Sequence, residues 1–242
     1  MRLSWLRFAI VVALVIPAAC NAGTQDGGIV VFAASSLTDV LEELDADVDY
    51  QFAGSDELAL QITEGARADV FVSADESYVR DLHEAGSVDE PVPIATNRLV
   101  LVVPSANPAG IDTLEDAAAP GVKVVVGAPG VPVGDYTRQM LAALGLDDVL
   151  ANVVSNEEDV RAVLGKVALG EADAGFVYAT DVGAVDEDVR VIEPPESAQP
   201  RIVYAAAVVP SGDDLQRARA FIERLTGEQG RRLLQDAGFG LP

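Results

Sequence analysis

Across its 242 residues the chain contains one cysteine, Cys20, and one histidine, His83. A single cysteine excludes any disulfide within the chain. A single histidine and a single thiol also leave no set of the spaced His and Cys residues that hold transition metals. Basic residues are scarce, and only Lys123 and Lys166 are lysines. With 39 acidic against 16 basic residues the formal charge is −23. Such a balance, with no basic cluster, argues against nucleic acid and anionic membrane surfaces as partners. Aromatic residues make up only 5% of the chain, and no apolar run reaches the about 20 residues that span a bilayer. What is abundant is small and aliphatic: hydrophobic residues form 50% of the chain, enough for one large domain or two lobes of about 100 residues each.

The first twenty residues differ from the rest. Arg2 and Arg7 precede an uncharged apolar stretch, Phe8 to Ile16, which ends at Pro17, Ala18, Ala19 and Cys20. Basic residues, a short apolar run and small residues in that order read as an export signal over 1–19. Cys20 directly behind the small residues resembles the lipobox at which bacterial lipoproteins are cleaved and acylated, with Pro17 where an aliphatic residue is usual. The expectation is a lipid anchor on Cys20 and a linker over 20–26. Loss of Arg2 and Arg7 makes the mature chain more acidic still.

From Gly28 onward short apolar runs alternate with amphipathic segments, the pattern of an α/β fold with largely parallel sheets. Strands are expected at Ile29 to Ala33, Val48 to Phe52, Val70 to Ser73, Leu99 to Val103, Val122 to Val126, Ala174 to Tyr178 and Ile202 to Val209. Helices are expected near Leu37 to Leu44, Glu57 to Glu64, Glu76 to Glu84, Asp135 to Leu144, Glu157 to Leu169, Leu215 to Leu225 and Glu228 to Asp236, where apolar residues recur at three and four. Gly65, Gly86, Gly145 and Gly170 stand where helices end. Proline-containing segments at Ser105 to Pro108 and Glu193 to Pro200 suggest two crossings between two lobes. Residues 27–104 and 201–242 would form lobe one and 105–200 lobe two, with a ligand cleft between.

In open α/β sheets ligands sit beyond the C-terminal strand ends, where helix N-termini offer unpaired N–H groups and a partial positive charge. The junctions here are Phe32-Ala33-Ala34-Ser35-Ser36-Leu37-Thr38-Asp39, Phe52-Ala53-Gly54-Ser55, Pro129 through Tyr136, Ser155 through Val160, and Val177-Tyr178-Ala179-Thr180-Asp181. Ser36 with Asp39 fits a capping box and Ser55 fits an N-cap. Taken singly, a serine at a helix start is an ordinary cap, Val133 and Val160 are ordinary core side chains, and Tyr178 is a strand-end residue with a half-wet hydroxyl. Taken together, the junctions offer hydroxyl and backbone donors and no Lys or Arg. That combination suits a dehydrated oxyanion at converging helix ends.

The segments Val31 to Asp39, Phe52 to Ser55 with Leu58 to Ile62, Ala68 to Asp75, Glu158 to Arg161 and Gly175 to Tyr178 resemble, in order and over essentially the whole mature chain, the periplasmic molybdate-binding proteins of ABC importers. The resemblance implies the two-lobed type II periplasmic binding protein fold closing on a tetrahedral oxyanion. It implies that Ser36 and Ser55 supply hydroxyl and backbone donors from lobe one, that Val133 and Val160 supply backbone N–H groups from lobe two, and that Tyr178 supplies its phenol. Val133 and Ser35 stand where the family often has Ala. Relatives with an octahedral centre carry carboxylates where Val160 and Tyr178 stand here, so a tetrahedral site is implied. The implied ligand is molybdate, with tungstate as an ion of nearly the same size, and sulfate or phosphate as the alternative. The implied partner is an ABC importer permease with its ATPase. No resident cofactor and a monomeric protein are expected.

Two rival readings come from the same residues. Ser36 or Ser55 with His83 as base would make a hydrolase, although His83 sits in a helix-end sequence, Leu82-His83-Glu84-Ala85-Gly86, outside any nucleophile-elbow motif. Asp56, Asp75 and Asp181 would be the carboxylates of a metal-ion binder, although no ligand spacing or EF-hand loop supports it. A DNA-binding regulator would need a helix-turn-helix or a basic patch, and the sequence has neither.

Overall fold

The computed structural model describes residues 28–185 and 187–242. The export signal expected over 1–19, the anchor at Cys20 and the linker over 20–26 lie outside the described residues. The chain first lays down β1 (Val30–Ala34), α1 (Thr38–Leu44), β2 (Asp49–Ala53), α2 (Ser55–Thr63), β3 (Val70–Ser73), α3 (Glu76–Glu84) and β4 (Val92–Asn97). It then builds β5 (Leu99–Pro104), β6 (Val124–Gly127), α4 (Pro132–Leu144), β7 (Val153–Glu157), α5 (Val160–Ala168), β8 (Ala174–Tyr178) and β9 (Val189–Ile192). It returns through β10 (Ile202–Val208), α6 (Leu215–Thr226) and α7 (Glu228–Asp236).

Two five-stranded sheets result, one ordered β2-β1-β3-β10-β4 and the other β7-β6-β8-β5-β9. Side chains alternate across a strand, and the first sheet uses both faces. Val31, Ala33, Val70 and Val72 enter one apolar cluster, while Phe32, Phe71, Ala205 and Ala207 enter a second with Leu58, Ile62, Val79 and Leu82 of α2 and α3. Neither sheet is wholly parallel. β10 runs antiparallel to both β3 and β4, and β5 runs antiparallel to both β8 and β9. These are the two strands the chain enters directly after changing sheets, so the expectation of largely parallel sheets holds only for β2-β1-β3 and β7-β6-β8.

The lobe boundary drawn at residues 104 and 105 is corrected by the same topology. Leu99 to Val103 are fully buried and pair on both sides within the second sheet, so the first crossing falls at Arg98, between β4 and β5. The segment Ser105 to Pro108 is a turn at the far end of β5. The second crossing lies between β9 and β10 and runs beside the first: Gln199 donates to the Leu99 carbonyl and accepts the Leu99 N–H, each at 2.8 Å. Arg98 also pairs with Glu193. The two connections therefore form one hydrogen-bonded hinge.

Candidate functional site

The C-terminal ends of β1, β2, β6, β7 and β8 all point at the gap between the sheets. After β2 comes Gly54 and then α2; Val131 and Asp159 stand at the N-caps of α4 and α5. The first turn of each helix has N–H groups with no acceptor four residues back, and each macrodipole puts partial positive charge there. A short 3-10 turn, Ser35–Leu37, brings the start of α1 to the same gap. The gap holds a small cavity of about 10 Å³ lined by residues from both lobes, among them Ser36, Ser55, Val133, Val160 and Tyr178. That volume is below the roughly 300–1,000 Å³ that takes drug-sized ligands, so the occupant has only a few heavy atoms.

Each of those five residues is at most 5% exposed, and the two serines do not cap helices in the way the sequence suggests. Ser36 lies inside the 3-10 turn, and its Oγ is 3.0 Å from the Tyr204 phenol. Tyr204 in turn accepts from Asn97 Nδ2 at 3.3 Å. Ser55 is the first residue of α2 rather than its cap, and its Oγ accepts the Ala74 N–H at 3.0 Å. An accepting hydroxyl still has its own proton to donate, so Ser55 offers a donor to the cavity. The Tyr178 hydroxyl is buried without a hydrogen-bond partner. Burial, chiefly, with the neighbouring Tyr204 and Tyr136 rings and the charges of Asp181 and Asp75, holds its pKa well above 10. Tyr178 is therefore a protonated, unpaired donor.

The charged member of the cavity wall is Asp159, whose carboxylate accepts the Ala162 N–H at 3.0 Å as the cap of α5. No Arg or Lys is among the lining residues. The lobes meet across the site: Tyr78 of α3 donates to the Gly130 carbonyl before α4, and Arg161 of α5 donates to Asp39 of α1 at 2.7 Å. Gly54 and Glu158 face each other so closely that a Cβ on Gly54 would lie 2.4 Å from the Glu158 carbonyl oxygen. The lobes are closed over a small chamber that no Arg or Lys lines.

The sequence model of bacterial extracellular solute-binding proteins matches residues 29–240. The chain belongs to that family. It is 41% identical to the molybdate-binding protein ModA of Mycobacterium tuberculosis, over 93% of this chain and 90% of the relative. In fold it matches the periplasmic molybdate-binding protein of Azotobacter vinelandii, with a TM-score of 0.79 at 24% identity over 88% of this chain and 99% of the other. It also matches the sulfate-binding protein SubI of Mycobacterium tuberculosis, with a TM-score of 0.75 at 20% identity over 88% and 86%. The architecture is thus that of two-lobed type II periplasmic binding proteins, and the fold by itself does not separate one oxyanion from another. The family is one of solute-binding proteins of transport systems that work outside the cytoplasm.

The five positions read from the sequence come together at this chamber, from both sheets. His83 does not join them; its Nδ1 lies 3.1 Å from the Val88 carbonyl at the end of α3. Asp75 caps α3 through Ser77 N–H, Asp56 sits at the start of α2, and Asp181 accepts the Tyr178 N–H at 3.3 Å. Among the described residues no group of three or more His, Cys, Asp or Glu is placed to hold a metal ion. Tyr204, Asn97 and Arg161 were given no role by the sequence. Tyr204 lies in the run Ile-Val-Tyr-Ala-Ala-Ala-Val, which reads only as a buried strand, and nothing local marks its phenol as the partner of Ser36.

Proposed function

We propose that this protein captures molybdate, and tungstate with little discrimination, and delivers it to an ABC importer made of a permease and its ATPase. The observation that carries the reading is the Tyr178 hydroxyl, buried, protonated and unpaired at a chamber that no cation lines. A buried donor left unsatisfied costs about 1–3 kcal/mol, and an anion that accepts from it removes that cost. Ser36 and Ser55 donate from lobe one, and the Val133 and Val160 N–H groups and Tyr178 donate from lobe two. Each charge-assisted bond contributes about 1.5–3 kcal/mol net, so several replace the hydration shell of a dianion. The 41% identity to a molybdate-binding protein supports molybdate over sulfate. Size decides between the two, because both are tetrahedral dianions and sulfate is too small to reach the donors of both lobes at once.

In this reading Cys20 is acylated and tethers a monomeric protein to the outer face of the cytoplasmic membrane. Among the described residues no helix is long and apolar enough to cross a membrane. Titration calorimetry of the signal-free protein against molybdate, tungstate, sulfate and phosphate tests the ligand. Tight binding of the first two and weak binding of the others is expected, and tighter sulfate or phosphate overturns the assignment.

A further inference from the structure

Arg161 follows Val160 in α5 and is not among the residues that line the cavity. Nη2 donates to Asp39 Oδ2 at 2.7 Å, and Asp39 stands in the first turn of α1 in the opposite lobe. Nε lies 3.5 Å from Asp181 Oδ1 in its own lobe, and the other Asp181 oxygen accepts the Tyr178 N–H. One side chain thus links three segments that carry cavity residues: the start of α5 with Val160, the end of β8 with Tyr178, and the Ser36 turn leading into α1.

We propose that Arg161 is a positioning residue for oxyanion capture: without touching the ion it fixes the Tyr178 segment through Asp181, and it bonds Asp39 only when the lobes meet. The two halves of the link differ in kind. Asp181 has no solvent exposure, a buried polar group without partners is costly whether charged or neutral, and Arg161 stands in the same lobe, so the Arg161–Asp181 contact belongs to lobe two in either state. Asp39 is solvent-exposed, carries no such constraint, and stands on α1 of the other lobe, so opening the cleft removes its bond. The Asp39 half is therefore a contact that distinguishes closed from open, which is what a ligand-driven equilibrium requires. Because one partner is exposed, its effect is modest, up to about fivefold in the rate of release, and salt screens it.

This inference rests on the molybdate reading. Its test is stopped-flow release and calorimetry with molybdate on wild type, Asp39→Asn, Arg161→Gln and the double variant. Asp213→Asn, which breaks the Arg67–Asp213 surface pair of lobe one, serves as the control. Asp39→Asn should release molybdate up to about fivefold faster, with ligand-free melting unchanged and the salt dependence of wild-type release lost. Asp213→Asn should release at the wild-type rate. Arg161→Gln should be weaker than Asp39→Asn, and adding Asp39→Asn to it should change nothing further. Release from Asp39→Asn at the wild-type rate at every salt concentration overturns the positioning role, as do independent effects in the double variant; the Asp39→Asn arm stands even where Arg161→Gln fails to fold. Wild type that binds none of the oxyanions overturns the functional reading instead, and the role of Arg161 with it.

Discussion

At the scale of single residues, binding rests on neutral donors. Tyr178→Phe removes one hydroxyl from a buried, preorganised position and should weaken molybdate binding by about 1.5–3 kcal/mol; calorimetry at one salt concentration measures it, and an unchanged affinity removes Tyr178 from the site. Asp181 gives a pH signature. Burial, outweighing the Arg161 guanidinium and the Tyr178 N–H and helped by Asp39 and Asp159, raises its pKa from 3.8 to about 7. The folded protein therefore keeps a proton that the unfolded chain has released, so the contribution to stability is complete below 3.8 and is lost as pH rises through about 7. Asp181→Asn retains an acceptor for the Tyr178 N–H and removes the titration. Its melting temperature should fall less steeply than that of wild type over this window, and parallel profiles would contradict the assignment. At this scale the sequence shows which residues stand at strand ends, and Ser36, Ser55, Val133, Val160 and Tyr178 all reach one chamber. It does not show what each hydroxyl bonds, because the partners of Ser36 and Ser55, Tyr204 and Ala74, are brought in by other strands.

At the scale of elements the site is made by helix starts converging from two sheets, and their approach requires a glycine. Gly54 caps α2 at φ −62°, which any residue adopts; its role is clearance from Glu158 across the cleft. Gly54→Ala should leave the fold and ligand-free melting intact and hold the lobes apart. Small-angle scattering should then show compaction with molybdate in wild type and none in the variant, and compaction in both would show that the close approach tolerates a methyl group. Elements with regular apolar patterns were legible: among the described residues the central strands and the seven helices lie near where periodicity puts them, except that the helix expected from Glu157 begins at Val160, because Glu157 ends the edge strand β7. The strands that were not anticipated, β4, β7 and β9, are sheet edges. Edge strands are short and polar and tolerate proline; β4 contains Pro93, β9 contains Arg190, and β7 reads Val-Val-Ser-Asn-Glu, which resembles the lead into a helix.

At the scale of the whole molecule, two crossings locked by Gln199 make a hinge, and a bound ion bridging the lobes favours closure by contacts the open form lacks. The proline segment at Ser105 to Pro108 misplaced the first crossing because proline marks a turn, and not every turn is a boundary; only the pairing of β5 between β8 and β9 reveals the lobe it serves. The excess of negative charge repels an anion at long range, so capture depends on the local dipoles of the chamber. The measurement that bears most directly on this is a crystal structure of the tungstate complex with the metal located by its anomalous scattering. Tungsten should lie between the lobes, its oxygens within hydrogen-bonding distance of Ser36, Ser55, the Val133 and Val160 N–H groups and the Tyr178 hydroxyl. An arginine, lysine or metal ion touching the anion, or tungsten seated outside the interlobe chamber, would contradict it.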